Sequence, residues 1–161
     1  MSKWGKTDFR ELKKLSNNLD NYLRTTDILE SVAKELTARL LGKVIPRTPV
    51  GQYPKSTGKV GGTLRRGWTT DSQEQAERGS NIDINAYVNS IEVYKTDKYV
   101  EILVINPVEY ASFVESGHRT RGGAGWVNGR HMLRISVNEL KNDSPKIIRK
   151  RIEKELREVF R

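Results

Sequence analysis

The side chains with chemistry to offer gather late in the chain. Glu115, His118, Arg119 and His131 could supply a general base, a general acid and a phosphate clamp. That is the set metal-free RNA cleavage uses. Such groups act only when they converge in a cleft. The Arg121-Gly122-Gly123-Ala124-Gly125 connection between them gives no reason to expect that. His118, Asn128 and His131 also invite a His-Asn-His nuclease reading, but they lack an evident carboxylate partner and strand–helix framing. Earlier, Gly58-Lys59 and Gly61-Gly62 hint at a phosphate loop, yet the Gly-x4-Gly-Lys-Ser/Thr spacing is missing. The absence of cysteine excludes disulfide staples and thiolate metal sites, and suits a reducing compartment. The expectation is no catalysis, no cofactor and no metal.

These residues hang on the stretch Asn106 to His118. Asn-Pro interrupts whatever precedes it, and Pro107 can open a helix because its missing N–H is not needed in the first turn. Tyr110, Phe113, Val114 and Gly117 follow at steps of three and four, which predicts a short aromatic-faced helix. Gly117 is placed to stop it in a left-handed cap. An aromatic pair at this spacing is ordinarily core, so Tyr110 and Phe113 are expected to pack inward. Trp68 and Trp126 are likewise expected to be packed. Glu115 is expected to cap a loop N–H or pair with Arg119, and His118 to hydrogen-bond within the loop.

The preceding chain reads as helices, then a loop, then strands. Leu12, Leu15, Leu19 and Leu23 predict a first amphipathic helix from about Asp8. Asp27 and Glu30 have capping-box spacing, and Ile28 to Val44 carry a broad apolar stripe that Pro46 should end. Residues 46–62 are rich in Pro and Gly. From Lys43 to Thr70 there are six basic residues and no acid, which predicts a mobile basic loop that orders against a partner. Residues 63–70 read as a strand and 71–85 as a linker. Ala86–Tyr94 and Tyr99–Ile105 read as an antiparallel hairpin, the second being a central strand. Residues 118–131 form a second basic, glycine-rich loop. Met132 opens a helix expected to break near Asn142-Asp143. Ser144-Pro145 should then begin a final helix, with Ile148, Ile152, Leu156, Val159 and Phe160 on one face.

A chain of 161 residues suits a single domain spanning 1–161, with 46–62 and 118–131 as mobile loops. No apolar run is long enough to cross a bilayer, and the N-terminus lacks the apolar segment of a secretory signal. With 29 Lys and Arg against 20 Asp and Glu, the net charge of +9 points to an acidic partner or nucleic acid.

Four features occur in order: the Pro/Gly-rich loop leading to Gly62-Thr63-Leu64-Arg65, a hairpin, Tyr110-Ala111-x-Phe113-Val114-Glu115-x-Gly117-His118, and Met132-Leu133-Arg134 opening a late helix. Together they resemble the tail-completion, or head–tail joining, minor tail components of long-tailed bacteriophages and prophage elements. The resemblance spans about Ile28 to the C-terminus, and the Tyr110–His118 run is its most specific part. It implies an α+β fold, with an antiparallel sheet packed by a long N-terminal helix and a C-terminal helix. It also implies a virion protein at the neck, made in the host cytoplasm, that forms a homo-oligomeric ring of six. That ring would join the tail terminator or tube to the head connector and leave a channel through which DNA passes. No membrane is implied. Interface residues expected on this reading are Arg47, Tyr53, Arg65, Arg66, Tyr110, Phe113, Glu115, His118, Arg119, Arg121, Trp126 and Arg130. The alternative is a small basic DNA-binding accessory protein, which the charge allows but no recognition-helix or stacking-sheet signature supports.

Overall fold

The computed structural model describes residues 13, 14, 17, 26–79, 82–96 and 99–159. The expected first amphipathic helix lies largely outside the described residues; Lys13, Lys14 and Asn17 within it are helical. The rest is mixed helix and sheet, as the α+β expectation requires. Six α-helices occur among the described residues: α1 (Thr26–Arg47), α2 (Thr63–Arg66), α3 (Gln73–Glu77), α4 (Ile84–Ser90), α5 (Ala111–Ser116) and α6 (Met132–Val159). The strands form two separate antiparallel pairs, β1 (Tyr94–Lys95) with β2 (Val100–Glu101) and β3 (Gly117–Arg119) with β4 (Trp126–Asn128).

Helix α1 presents Ile28, Val32, Leu41, Val44 and Ile45 to the interior, while Leu29 on the same predicted stripe stays 44% exposed. Leu41 and Val44 join Leu64, Trp68, Ala76, Val88, Val108 and Met132 in the core cluster. Complete burial of a side chain such as Leu41 or Met132 contributes roughly 1.5–3 kcal/mol on transfer grounds. Pro46 does not end α1, which runs one residue further to Arg47. The turn beyond is held by Thr48, whose N–H (3.0 Å) and Oγ1 (2.8 Å) both donate to the Val44 carbonyl. Glu30 makes ion pairs with Lys34 (2.8 Å) and Lys95 (2.5 Å); the Asp27 side of the expected capping box lies outside the described side chains.

Helix α6 lies antiparallel to α1, because Ser31 meets Arg151 while Lys43 meets Glu139. It is one helix where two were expected. Pro145 lacks the N–H that should reach the Lys141 carbonyl. The Ser144 hydroxyl donates to that carbonyl at 3.1 Å instead, so the chain passes through proline without breaking. Ser144 thus repairs a helix interior; it caps no new N-terminus.

Between these long helices the expected strands are mostly helical. Residues 63–70 form α2 and a 3-10 turn (Gly67–Thr69), with Leu64 and Trp68 buried one turn apart. The linker expected over 71–85 contains α3, whose N-cap Ser72 accepts from the Gln75 N–H, and the start of α4, whose N-cap Asp83 accepts from the Ala86 N–H. The expected antiparallel pairing exists, with Tyr94 opposite Glu101 and Lys95 opposite Val100. It is short, however. Residues 102–108 continue as chain outside any strand ladder, so no central strand forms there.

Candidate functional site

The aromatic stretch and the basic segment after it form one unit. Helix α5 begins at Ala111, four residues beyond the Pro107 start that was expected. Gly117 does stop it, but with φ 88° and ψ 170°, a positive-φ extended conformation in place of a left-handed helical cap. That geometry turns the chain directly into β3. A Cβ at Gly117 would sit 2.5 Å from the Val127 carbonyl oxygen, so glycine is also required by the close approach of β4. The segment expected to be a loop thus carries a strand pair and forms a hairpin arm. His118 faces Val127 and Arg119 faces Trp126 in register. At the tip the Thr120 N–H donates to the Gly125 carbonyl (3.0 Å), and the Gly125 N–H returns a bond to Thr120 Oγ1 (3.0 Å).

The base of the arm is clamped between α5 and α6. The Arg130 and His131 N–H groups donate to the Val114 and Glu115 carbonyls at 2.7 and 3.1 Å. Glu115 caps a helix that its sequence position did not reveal: its two oxygens accept from the Leu133 (2.9 Å) and Arg134 (3.0 Å) N–H groups at the start of α6. A carboxylate there satisfies donors that have no partner within the helix and complements its dipole. Both oxygens are thereby committed to structure. His118 packs edge-on against Phe113, with ring centroids 5.8 Å apart.

Above this base every residue from 118 to 128 is exposed. Trp126 is 59% exposed and Phe113 56%, which corrects the expectation that both are packed; Tyr110 is 40% exposed. The reason is placement. Among the residues of helix α5, Ala111 and Val114 pack against the core, while Ser112, Phe113 and Ser116 are exposed. Arg119, Arg121 and Arg130 make no ion pair among the described residues.

The remaining expected interface residues sit elsewhere. Tyr53, with the Lys59 ammonium 5.9 Å from its ring centre, shares with Tyr110 a groove of about 200 Å³. The groove also takes in Pro49, Leu64 and Val114, so the first basic loop meets the aromatic stretch here. Burial raises the Tyr110 phenol pKa. Arg65 turns inward and donates to the Thr48 carbonyl through Nε (3.1 Å) and Nη2 (2.8 Å). Arg66 donates to the Ala76 (2.6 Å) and Gly61 (3.0 Å) carbonyls. Trp68 is buried as expected, its indole N–H donating to Thr48 Oγ1 at 2.8 Å. Arg47 reaches Glu139 (2.5 Å) and Ser136 (3.2 Å) on α6. Beside it Lys43 pairs with Glu139 and Asp143. Hydrogen bonds from Lys43 and Arg47 hold the Glu139 carboxyl below its ordinary pKa, and Glu139 with Asp143 raises that of Lys43.

Sequence reasoning passed over a second surface. Asp71, Tyr87, Glu92, Tyr94, Leu103 and Ile105 line a cleft of about 480 Å³. The sequence pattern alone places its residues in a linker and in strands. The N-caps Ser72 and Asp83, and the three-and-four spacing of Ile84, Tyr87, Val88 and Ile91, were the signals for the helices beside it.

No metal-holding group of His, Asp or Glu occurs among the described residues, and no helix there is long and apolar enough to cross a membrane. The family model described as "Bacteriophage HK97-gp10, putative tail-component" matches residues 13–117. The chain belongs to that family. The match begins before Ile28 and stops where the β3–β4 arm starts, so the arm and α6 extend beyond it. Comparison with curated proteins and with solved structures found no match.

Proposed function

We propose that the protein is a structural virion component that assembles as a ring at the phage neck. The ring joins the tail terminator or tube to the head connector and leaves a channel for DNA. Membership of a phage tail-component family supports this reading. The observation that carries it is the clamped, exposed arm with Trp126 and with Arg119 and Arg121, which make no ion pair among the described residues, a surface suited to protein contact. Trp and Arg are the residues favoured at interface centres. Residues 1–161 act as one unit, and six copies is the stoichiometry that the family resemblance suggests. No catalytic step is assigned. Glu115, the best carboxylate candidate for a general base, spends both oxygens on backbone N–H groups. Contact with DNA in the channel is transient, because a conduit that binds tightly would hinder passage.

The test is solution mass by light scattering, alone and with linear DNA at physiological salt, together with neck assembly in a phage lysate. The expected result is a mass that DNA does not change, and loss of head–tail joining when Arg119→Ala and Arg121→Ala are combined. A stable, salt-sensitive DNA complex would overturn the proposal in favour of the DNA-binding accessory reading. Loss of the added DNA would reopen catalysis.

A further inference from the structure

The arm and the cleft between α4 and residues 103–107 are chemically opposite. The charged groups lining the cleft are Asp71 and Glu92, both exposed, on a chain whose net charge is +9. Beside them Tyr94, Leu103 and Ile105 are 54%, 56% and 55% exposed and form an uncovered apolar wall. Asp71 lines the cleft together with Tyr87, whose phenol pKa is raised by burial and by the negative charge of Asp71. Neither carboxylate has an ion pair among the described residues. On the arm, Arg119 lies directly opposite Trp126 in the antiparallel register, so guanidinium and indole stand side by side on one face. The arm therefore offers an aromatic ring flanked by positive charge. The cleft offers an apolar wall flanked by negative charge.

We propose that the β3–β4 arm of one copy seats in the Asp71–Glu92 cleft of the next copy. Trp126 lies against Leu103 and Ile105, and Arg119 and Arg121 turn to the two carboxylates. This rests on the ring reading and gives it a contact. Because the two surfaces differ, each docking leaves one arm and one cleft free, so copies add head to tail until the rotation closes. Its volume of about 480 Å³ falls within the range of pockets that hold drug-sized ligands, enough for an indole and a neighbouring guanidinium. The paired charges set orientation and speed encounter more than they add affinity. The apolar contact supplies the holding energy.

The chain has no cysteine, so an introduced pair reports without background. The double variant S90C/A124C places one thiol at the cleft and one at the arm tip. Under mild oxidation of the full-length protein it should give a ladder of covalent multimers, while either single variant gives none. R119E/R121E in that background should abolish the ladder, and adding D71R/E92R should restore it. A ladder that persists in R119E/R121E overturns the proposal. Rings of unchanged mass without a ladder overturn the arm contact and leave the ring standing. No oligomer in solution or in lysate removes the ring reading itself. Capture of a different tail protein by S90C, without the ladder, assigns the cleft to that protein and overturns the self-contact.

Discussion

Two regions of this molecule use the same residue types to opposite ends. Along the α1–α6 seam and on α2, Arg47, Arg65 and Arg66 are anchored to Glu139, Thr48, Ala76 and Gly61 within the chain. On the β3–β4 arm, Arg119 and Arg121 reach out from a hairpin whose residues 118–128 are all exposed. The tryptophans divide the same way: Trp68 is 3% exposed and Trp126 59%. An arginine that satisfies buried backbone carbonyls is part of the fold. An arginine beside an uncovered indole is available to a partner. Basic character alone does not distinguish the two roles.

The sharpest way to break this contrast is to remove each tryptophan. Trp68→Ala should cost about 3–5 kcal/mol in urea unfolding, because it empties a core site and leaves Thr48 without its indole donor. Trp126→Ala should change stability by less than about 0.5 kcal/mol and act on association instead. Equal losses for both would end the distinction. A middle effect is expected where arm and body join. Glu115→Ala removes the acceptor for the Leu133 and Arg134 N–H groups and should cost about 1 kcal/mol, with Glu115→Gln recovering part. Thermal melts followed by circular dichroism would measure it, and no change would mean that the cap does not hold the arm's base.

The smallest effect concerns acid. Hydrogen bonds from Lys34 and then Lys95 lower the Glu30 pKa from 4.5 to about 2. A carboxylate whose folded pKa is depressed stabilises the fold fully above its unfolded value and loses that contribution as pH falls towards the folded one. The stability gap between the native protein and Glu30→Gln should therefore be full above pH 4.5 and close as pH approaches 2. A gap that widened on acidification would contradict the assignment. The cause is exposed ion pairing, so added salt should shrink the gap.

Several elements were legible from local pattern. The stripe from Ile28 to Val44 gives α1, Tyr94–Lys95 pairs antiparallel with Val100–Glu101, and Met132 opens a helix. Other elements were ambiguous for a physical reason. Leu64 and Trp68 are four apart, a spacing that fits two strand repeats as well as one helical turn. The ambiguity is resolved by Gly62 at φ 95° starting the helix and by Arg66 reaching back to Gly61 and across to Ala76. Proline punctuation misled twice, at Pro46 and at Pro145, because Thr48 and Ser144 hydroxyls donate to nearby helix carbonyls. Of the candidate site, the aromatic run and the basic segment were visible as composition. The arm's hairpin form and the acidic cleft were not.

The sequence by itself determined the charge, the absence of thiol chemistry, the apolar stripe of α1, the helix opening at Met132 and the glycine that stops α5. These depend on residue type and on neighbours within a turn or two. Tertiary structure alone decided which arginines turn inward, which tryptophan is covered, and that Glu115 caps α6. Those outcomes depend on partners far away in the chain, such as Lys43 with Glu139, and burial is a property of what lies beside a residue in space.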